Sequence, residues 1–252
     1  MSKTLVVPLE KMAEEPYALI LCYPKASNAE IKKRLKELEK LNVSALEFVG
    51  EKQVYGFHIL GKGCVGLVLL AYWKDKKVAL KIRRVDADRE LMRQEAKLLK
   101  KANSVQVGPK VFDFSKNFLL MQYIDGVLLP VWLEKPGKKA QIKRVLRAVL
   151  EQCWRLDEIG LDHGELSQAS KHIIITKEEE PFIVDFESAS LNRKPANVTS
   201  LCQFLFIGSE VAKNIAERLG KVDRKAIVEA LKQYKKNISH ENFNKVLVAC
   251  RL

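Results

Sequence analysis

The most constraining stretch of this sequence is GKGCVGLVLLAYW, where Gly61, Gly63 and Gly66 form a G-x-G-x-x-G-x-V pattern and strand-like residues follow the last glycine at once. Glycines at this spacing let backbone N–H groups approach a phosphate more closely than a side chain would permit. The same spacing opens dinucleotide-binding folds, but there the glycines lead from a strand into a helix. Here they lie between YGFHIL and CVGLVLLAYW, and KDKK then turns the chain into VALKIRR. The pattern predicts a strand-loop-strand lid over a phosphate-bearing ligand.

In VALKI, Lys81 alternates with Val78, Leu80 and Ile82, so Lys81 and Ala79 share the opposite face of a strand. A lysine beside a small residue could hold ATP phosphates beneath an adenine slot, although a lone strand lysine is more often simply solvated. The next segment discriminates. DRELMRQEAKLLKKA predicts a helix over about 89–102 with Leu91, Met92, Leu98, Leu99 and Ala102 as its buried stripe, and Glu95 lies four residues from both Leu91 and Leu99. A carboxylate directed into a core is costly unless paired. Lys81 is the expected partner, with Glu90 pointing outward.

Upstream, YALILCYP reads as a strand, SNAEIKKRLKELEKL as a helix capped by Ser27 and Glu30, and ALEFVG as a further strand. Residues 1–52 therefore look like a small α/β extension, whose Lys32, Lys33, Arg34 and Lys36 could touch a nucleic-acid backbone but are expected first of all on a solvated face. Residues 53–124 are strand-rich, ending in FLLMQYIDG, and 125–252 are mainly helical apart from KHIIIT and PFIVDF, two strands joined by KEEE. The expectation is an α+β chain with a β-rich lobe, a hinge near Ile124–Gly126 and an α-rich lobe.

No apolar run approaches the roughly 18–20 residues needed to span a bilayer, and MSKTLVVPLEKMAEE has no signal-peptide core, so a cytoplasmic protein is expected. The five cysteines are scattered and lack any C-x-x-C pair, which predicts buried free thiols rather than disulfides or a zinc site. A net charge of +13 and a pI near 9.4 favour a polyanionic partner, RNA first. The charge clusters in LEKPGKKAQIKRVLR, with Lys135, Lys138, Lys139, Lys143, Arg144 and Arg147, and again over 213–236, including Lys221, Arg224 and Lys225.

Two motifs remain, LDHGELSQASKHIII at 161–175 and IVDFESAS at 183–190. With GKGCVGLV, VALK and the helix glutamate, their order over about 55–210 resembles the protein-kinase fold. HGELS and DFESAS look most like the small atypical kinases, the RIO kinases and the kinase of the tRNA-modifying KEOPS complex. That resemblance implies a bilobal fold using ATP and Mg²⁺. Gly61, Gly63, Gly66, Val68, Ala79, Lys81 and the hinge residues Met121, Gln122 and Tyr123 would hold the nucleotide. Lys81 and Glu95 would form the catalytic ion pair, Asp185 would hold the metal, and Glu165 would stand where the family has the Asp that accepts the substrate hydroxyl proton.

The chain also departs from the pattern. Gly164 replaces the Arg after the loop histidine, Glu187 replaces the Gly of D-F-G, and Ser170 stands where the family's metal-binding Asn is expected. If the loop has gained two residues, the position becomes His172, which directly precedes IIIT, with Ser170 or Gln168 as second choices. His172 could ligate a divalent metal, touch the transferred phosphate, or simply cap the hairpin.

Between Glu187 and VTSLCQFLF there is only SASLNRKPAN, with no A-P-E motif for a peptide platform. The chain further resembles an archaeal group of kinase-like proteins that includes RNA kinases acting on a ribose 2′-hydroxyl inside tRNA. The resemblance implies tRNA as the acceptor. The alternatives are a RIO-type Ser/Thr protein kinase and an RNA-binding pseudokinase scaffold.

Overall fold

A computed structural model describes residues 5–87 and 89–252, without the side chains of 89–91, so the expectations for Glu90 and Leu91 lie outside the described residues. The chain forms two compact units, Met1–Lys100 with Lys110–Tyr123, and Lys101–Pro109 with Ile124–Leu252.

The first unit runs β1 (Leu5–Pro8), a 3₁₀ turn (Leu9–Ala13), α1 (Tyr17–Leu21), α2 (Asn28–Lys40), β2 (Val43–Phe48), β3 (Lys52–Val54), β4 (Phe57–Ile59), β5 (Gly61–Lys62), β6 (Gly66–Trp73), β7 (Lys76–Arg83), α3 (Arg89–Asn103, whose end from Lys101 on falls in the second unit), β8 (Val111–Phe114) and β9 (Phe118–Gln122). The main sheet has the order β1-β2-β6-β7-β9-β8, with β5 pairing β6. Lys74 and Asp75, both at positive φ, make the two-residue turn between β6 and β7. Turns of that hand match the twist of the flanking strands.

Residues 1–52 are therefore not an α/β unit of their own, because β1 and β2 are hydrogen-bonded into this sheet. Val7, Met12, Ile20, Leu21, Ile31 and Leu38 form one core with Leu67, Leu69, Val78, Leu80, Ile82, Phe118 and Leu120. The segment buttresses one face of the sheet and leaves the other face to Lys81 and Ala79.

Three local expectations are corrected. YALILCYP is not a strand: Pro16 opens the short helix α1, which buries Ala18, Ile20 and Leu21. A short apolar run carries no period that separates strand from buried helix. Arg34 is not on a solvated face. It is 0% exposed and donates to the carbonyls of Leu21 (2.8 Å) and Arg83 (2.6 Å). Arg83 meets it at Asn117, whose Oδ1 accepts from Arg83 Nη2 at 2.8 Å and whose amide donates to Glu37 at 2.6 Å. Cys64 also departs from expectation, being exposed while Cys22, Cys153, Cys202 and Cys250 are buried.

The second unit contains β10 (Gly126–Leu128), α4 (Leu129–Glu134), α5 (Lys139–Glu158), a 3₁₀ segment (Leu166–Lys171), β11 (Ile173–Thr176), β12 (Pro181–Ile183), α6 (Asn197–Cys202) continued by a π-helical turn (Gln203–Ile207), α7 (Glu210–Leu219), α8 (Arg224–Lys236) and α9 (His240–Ala249). Strands β10, β11 and β12 form a small antiparallel sheet. Helix α5 buries Ile142, Val145, Leu146, Val149, Leu150, Cys153 and Leu156 at helical spacing. At its end the buried Asp157 accepts from the backbone of Asn197 (2.9 Å) and Val198 (3.1 Å), from the Asn197 amide (2.7 Å) and from the Tyr234 hydroxyl (3.0 Å). One carboxylate thus ties α5 to α6 and α8. No helix among the described residues is long and apolar enough to cross a membrane.

Candidate active site

In the first unit the sheet register sets the geometry. Lys81 lies opposite Val68 and Leu119, Ala79 opposite Leu70 and Met121, and Gly61 opposite Val68. Directly opposed residues of antiparallel strands share a face. Gly61, Val68, Ala79, Lys81 and Met121 therefore line one surface, away from the core. Lys81 Nζ stands 2.8 Å from both oxygens of Glu95, and the two side chains are 4% and 3% exposed. Helix α3 delivers Glu95 because Met92, Ala96, Leu99 and Ala102 bury the same stripe.

The glycine loop is a tight hairpin in which Gly63 N–H donates to the Gly66 carbonyl at 2.8 Å. The glycines have different reasons to be there. A Cβ on Gly66 would stand 2.7 Å from the Ile82 carbonyl, so strand packing alone demands glycine, whereas a Cβ on Gly61 would make only ordinary contact with Val68. At the end of β9, Gln122 Oε1 accepts weakly from Lys110 N–H (3.3 Å), and Tyr123 is half-buried.

In the second unit the loop 161–172 and the segment 185–197 bring Glu165, His172 and Asp185 together. His172 is 1% exposed; its Nε2 lies 2.9 Å from Glu165 Oε2 and its Nδ1 3.9 Å from Asp185 Oδ2. Neither ring nitrogen has an aligned hydrogen bond. The His172 carbonyl accepts from Val184 N–H at 2.9 Å, which holds the loop against the strand leading to Asp185. Asp185 sits at φ +68°, a left-handed backbone conformation that is uncommon for residues other than glycine and that Asp adopts more readily than most. Ser170 and Gln168 are exposed on the 3₁₀ segment.

Glu165 Oε1 accepts from the Ser188 hydroxyl at 2.5 Å. That bond, with the electrostatic help of His172, outweighs partial burial and holds the Glu165 carboxyl below its usual range. It is a carboxylate at neutral pH. His163 is fully buried, with Nε2 3.1 Å from the Val184 carbonyl and its ring edge-on to Phe186. Burial pushes its pKa down to about 4, so it is neutral.

Gly164 has φ +91°, and a Cβ there would meet the Ser188 carbonyl at 2.7 Å and the Arg193 guanidinium at 2.5 Å. The place of the missing side chain is filled from downstream. Arg193 donates to Asp162 Oδ2 (2.9 Å) and to the Ser188 carbonyl (2.6 Å), and Asp162 and Ser190 exchange backbone hydrogen bonds of 2.9 and 2.8 Å. Ser188, Arg193 and Asp162 were not singled out from sequence. Their only signal is the unusual shortness of the segment after Asp185.

The basic clusters also lie in the second unit. Lys135, Lys138 and Lys139 are exposed at the start of α5, and Lys221, Arg224 and Lys225 are exposed at the start of α8. Arg144 and Arg147 face Glu179 and Glu151, and Lys143 donates to the Arg251 carbonyl at 2.6 Å. Arg218 of α7 donates to the carbonyls of Leu133 and Gly137, which joins the two clusters and borders a cavity of about 370 Å³ also lined by Trp132, Lys135 and Lys177.

A glycine hairpin before a lysine strand, a buried lysine–glutamate pair, a histidine–acid loop and an Asp-Phe turn define an atypical protein-kinase-like chain. It belongs to the RIO domain family, whose model matches residues 71–202, more than half of the sequence. Members of this family are atypical kinases that use ATP. No curated protein matches the chain.

Proposed function

We propose that this kinase-like protein transfers the γ-phosphoryl group of ATP to an internal ribose 2′-hydroxyl of tRNA. The observation that carries the RNA acceptor is the placement of Lys138, Lys139, Arg224 and Lys225 at the N-terminal ends of α5 and α8. Helix dipoles disfavour cations at N-termini, so these residues work against helix stability and ask for another reason. Helix N-termini together with lysines and arginines attract backbone phosphates. The segment 188–197, latched onto Asp162, supports the same reading, since it leaves little platform for an extended peptide.

In this reading Lys81, oriented by Glu95, holds the nucleotide phosphates and the glycine hairpin covers them. Mg²⁺ binds through one or two carboxylates plus phosphate oxygens, a demand that Asp185 fits, and it would neutralise charge on the transferring group. Among the described residues there is no cluster of three His, Cys, Asp or Glu side chains that would hold a metal without such help. Glu165, ionised and partly exposed, orients the acceptor hydroxyl and accepts its proton. His172 keeps the loop in place between Glu165 and Asp185.

Incubation with labelled ATP, total tRNA and a generic basic protein tests the proposal. Label in tRNA is expected, lost with Asp185→Ala and reduced about 10²- to 10⁴-fold by Glu165→Gln. Label in the protein pool alone would favour the RIO-type Ser/Thr kinase that family membership also supports. RNA binding with no transfer would favour a scaffold.

A further inference from the structure

Glu165 is the base of the proposed reaction, yet its carboxylate is 37% exposed. An exposed base beside bound ATP would activate water as readily as an RNA hydroxyl. Enzymes that transfer phosphoryl groups to a macromolecule must suppress that leak, and the usual means is exclusion of water from the site.

The structure supplies another means. A water or hydroxyl that passes its proton to Glu165 must lie about 2.6–3.2 Å from a carboxylate oxygen. At Oε1 that position is held by the Ser188 hydroxyl, at 2.5 Å, and Oε2 is turned toward the buried His172 at 2.9 Å. Ser188 is fixed from behind. Its carbonyl accepts from Arg193 at 2.6 Å, Arg193 is anchored on Asp162, and Ala189 N–H closes a turn onto the Phe186 carbonyl at 3.1 Å.

We propose that Ser188 is a guard residue that sets specificity for an RNA hydroxyl over water. In the absence of an acceptor it occupies the proton-accepting edge of Glu165. The acceptor ribose, positioned by its phosphate contacts, displaces the serine hydroxyl; a single water, without such contacts, does not. The suppressed reaction is ordinary ATP hydrolysis. The water oxygen bonds to the γ-phosphorus, the bond from that phosphorus to the β,γ-bridging oxygen breaks, ADP leaves with the electron pair, and the water's proton passes to Glu165. The inference rests on the kinase reading and adds to it the way this chain rejects water.

The test uses the full chain with Mg²⁺-ATP and no acceptor, following ADP release. Ser188→Ala is expected to raise acceptor-independent ADP release at least about tenfold, while Ser188→Thr, which keeps the hydroxyl, stays near the wild-type rate. Thermal unfolding of both variants reports that the fold is intact. Unchanged or slower ADP release by Ser188→Ala, in a preparation whose wild type labels an acceptor, overturns the guard and leaves the kinase reading standing. Label retained on the protein itself and lost in Ser188→Ala also overturns it, since Ser188 would then be an acceptor. A wild type that binds no ATP and labels no acceptor removes both.

Discussion

The buried His163 makes a quantitative prediction about acid stability. For Nε2 to bond the Val184 carbonyl it must carry the ring hydrogen, which leaves Nδ1 bare, buried and without a partner. Protonating Nδ1 would place a cation in a fully enclosed pocket beside Phe186 and 5.6 Å from the His172 ring. Burial therefore lowers the pKa from 6.5 to about 4, and the Val184 carbonyl offsets only part of that. The folded-state pKa lies below the unfolded one, so above pH 6.5 the group contributes no pH dependence. As pH falls from 6.5 toward 4 the unfolded chain takes up a proton that the folded chain refuses, and stability is lost at up to about 1.4 kcal/mol per pH unit. Between pH 7 and 4.5 the two-pKa relation gives a loss of about 2 kcal/mol from this one residue.

The assay is urea unfolding in EDTA, without nucleotide, followed by tryptophan fluorescence at both pH values. His163→Gln retains a donor for the Val184 carbonyl but does not titrate. It is expected to be less stable than wild type at pH 7 by about 1–2 kcal/mol, the cost of a poorer fit and hydrogen bond, and to lose about 2 kcal/mol less on going to pH 4.5. Carboxylates shared by both proteins cancel in that difference. Equal pH losses, with equal denaturant slopes, would refute the assignment of His163 as a buried neutral imidazole.

Other perturbations follow from the same geometry. Lys81→Ala should abolish transfer and also destabilise the first unit by about 3–5 kcal/mol, because the buried Glu95 carboxylate loses the ammonium 2.8 Å from its oxygens; adding Glu95→Leu should recover part of that stability but not transfer, read by calorimetry beside the labelling assay. Arg34→Met should cost about 2–4 kcal/mol, since the Leu21 and Arg83 carbonyls lose their buried donor, and chemical denaturation measures it. Gly164→Ala should cost about 2–3 kcal/mol through its φ of +91° and the contact with the Ser188 carbonyl, and Gly164→Arg should be no better, because Arg193 already fills that space. Charge reversal at Lys138, Lys139, Arg224 and Lys225 should weaken tRNA binding and flatten its salt dependence while leaving ATP affinity unchanged, as filter binding at several salt concentrations would show.

Glu95 was legible in the sequence because a carboxylate in the middle of a helical apolar stripe has few physical options, and a strand lysine nearby satisfies one of them. The same rule applied to α2 would have found Arg34. It lies three residues after Ile31 and four before Leu38, on the buried stripe, but its lysine neighbours made the whole face read as solvated. Its acceptors are main-chain carbonyls, which carry no sequence signal. The strand alternation around Lys81 was readable for the reason the sheet is stable: one face packs on the residues preceding Gly50 and the other carries Lys81, paired with Glu95. Ser188, Arg193 and Asp162 were not readable, because they meet through loop backbone at no fixed period.

Those loop contacts change how the departures from the kinase pattern are to be understood. Taken singly, a glycine for arginine, a glutamate for aspartate and a histidine for asparagine each remove something a kinase needs. In the structure each is matched by a neighbour. The arginine absent at 164 has a counterpart in Arg193, whose guanidinium takes up the space beside Gly164 and pins the segment to Asp162 and the Ser188 carbonyl. The longer reach of Glu165 is met by Ser188 on one oxygen and His172 on the other, so its extra rotamer freedom is held in check. His172, at the end of the loop, turns its two ring nitrogens toward Glu165 and Asp185. A decaying site loses such reciprocity, because nothing maintains the fit of one altered residue to the next. Glu165→Asp therefore makes a sharp discriminator: restoring the family's residue should shorten the reach from Ser188 and His172 and lower transfer by at least about tenfold, whereas a site that is merely degenerate would gain activity.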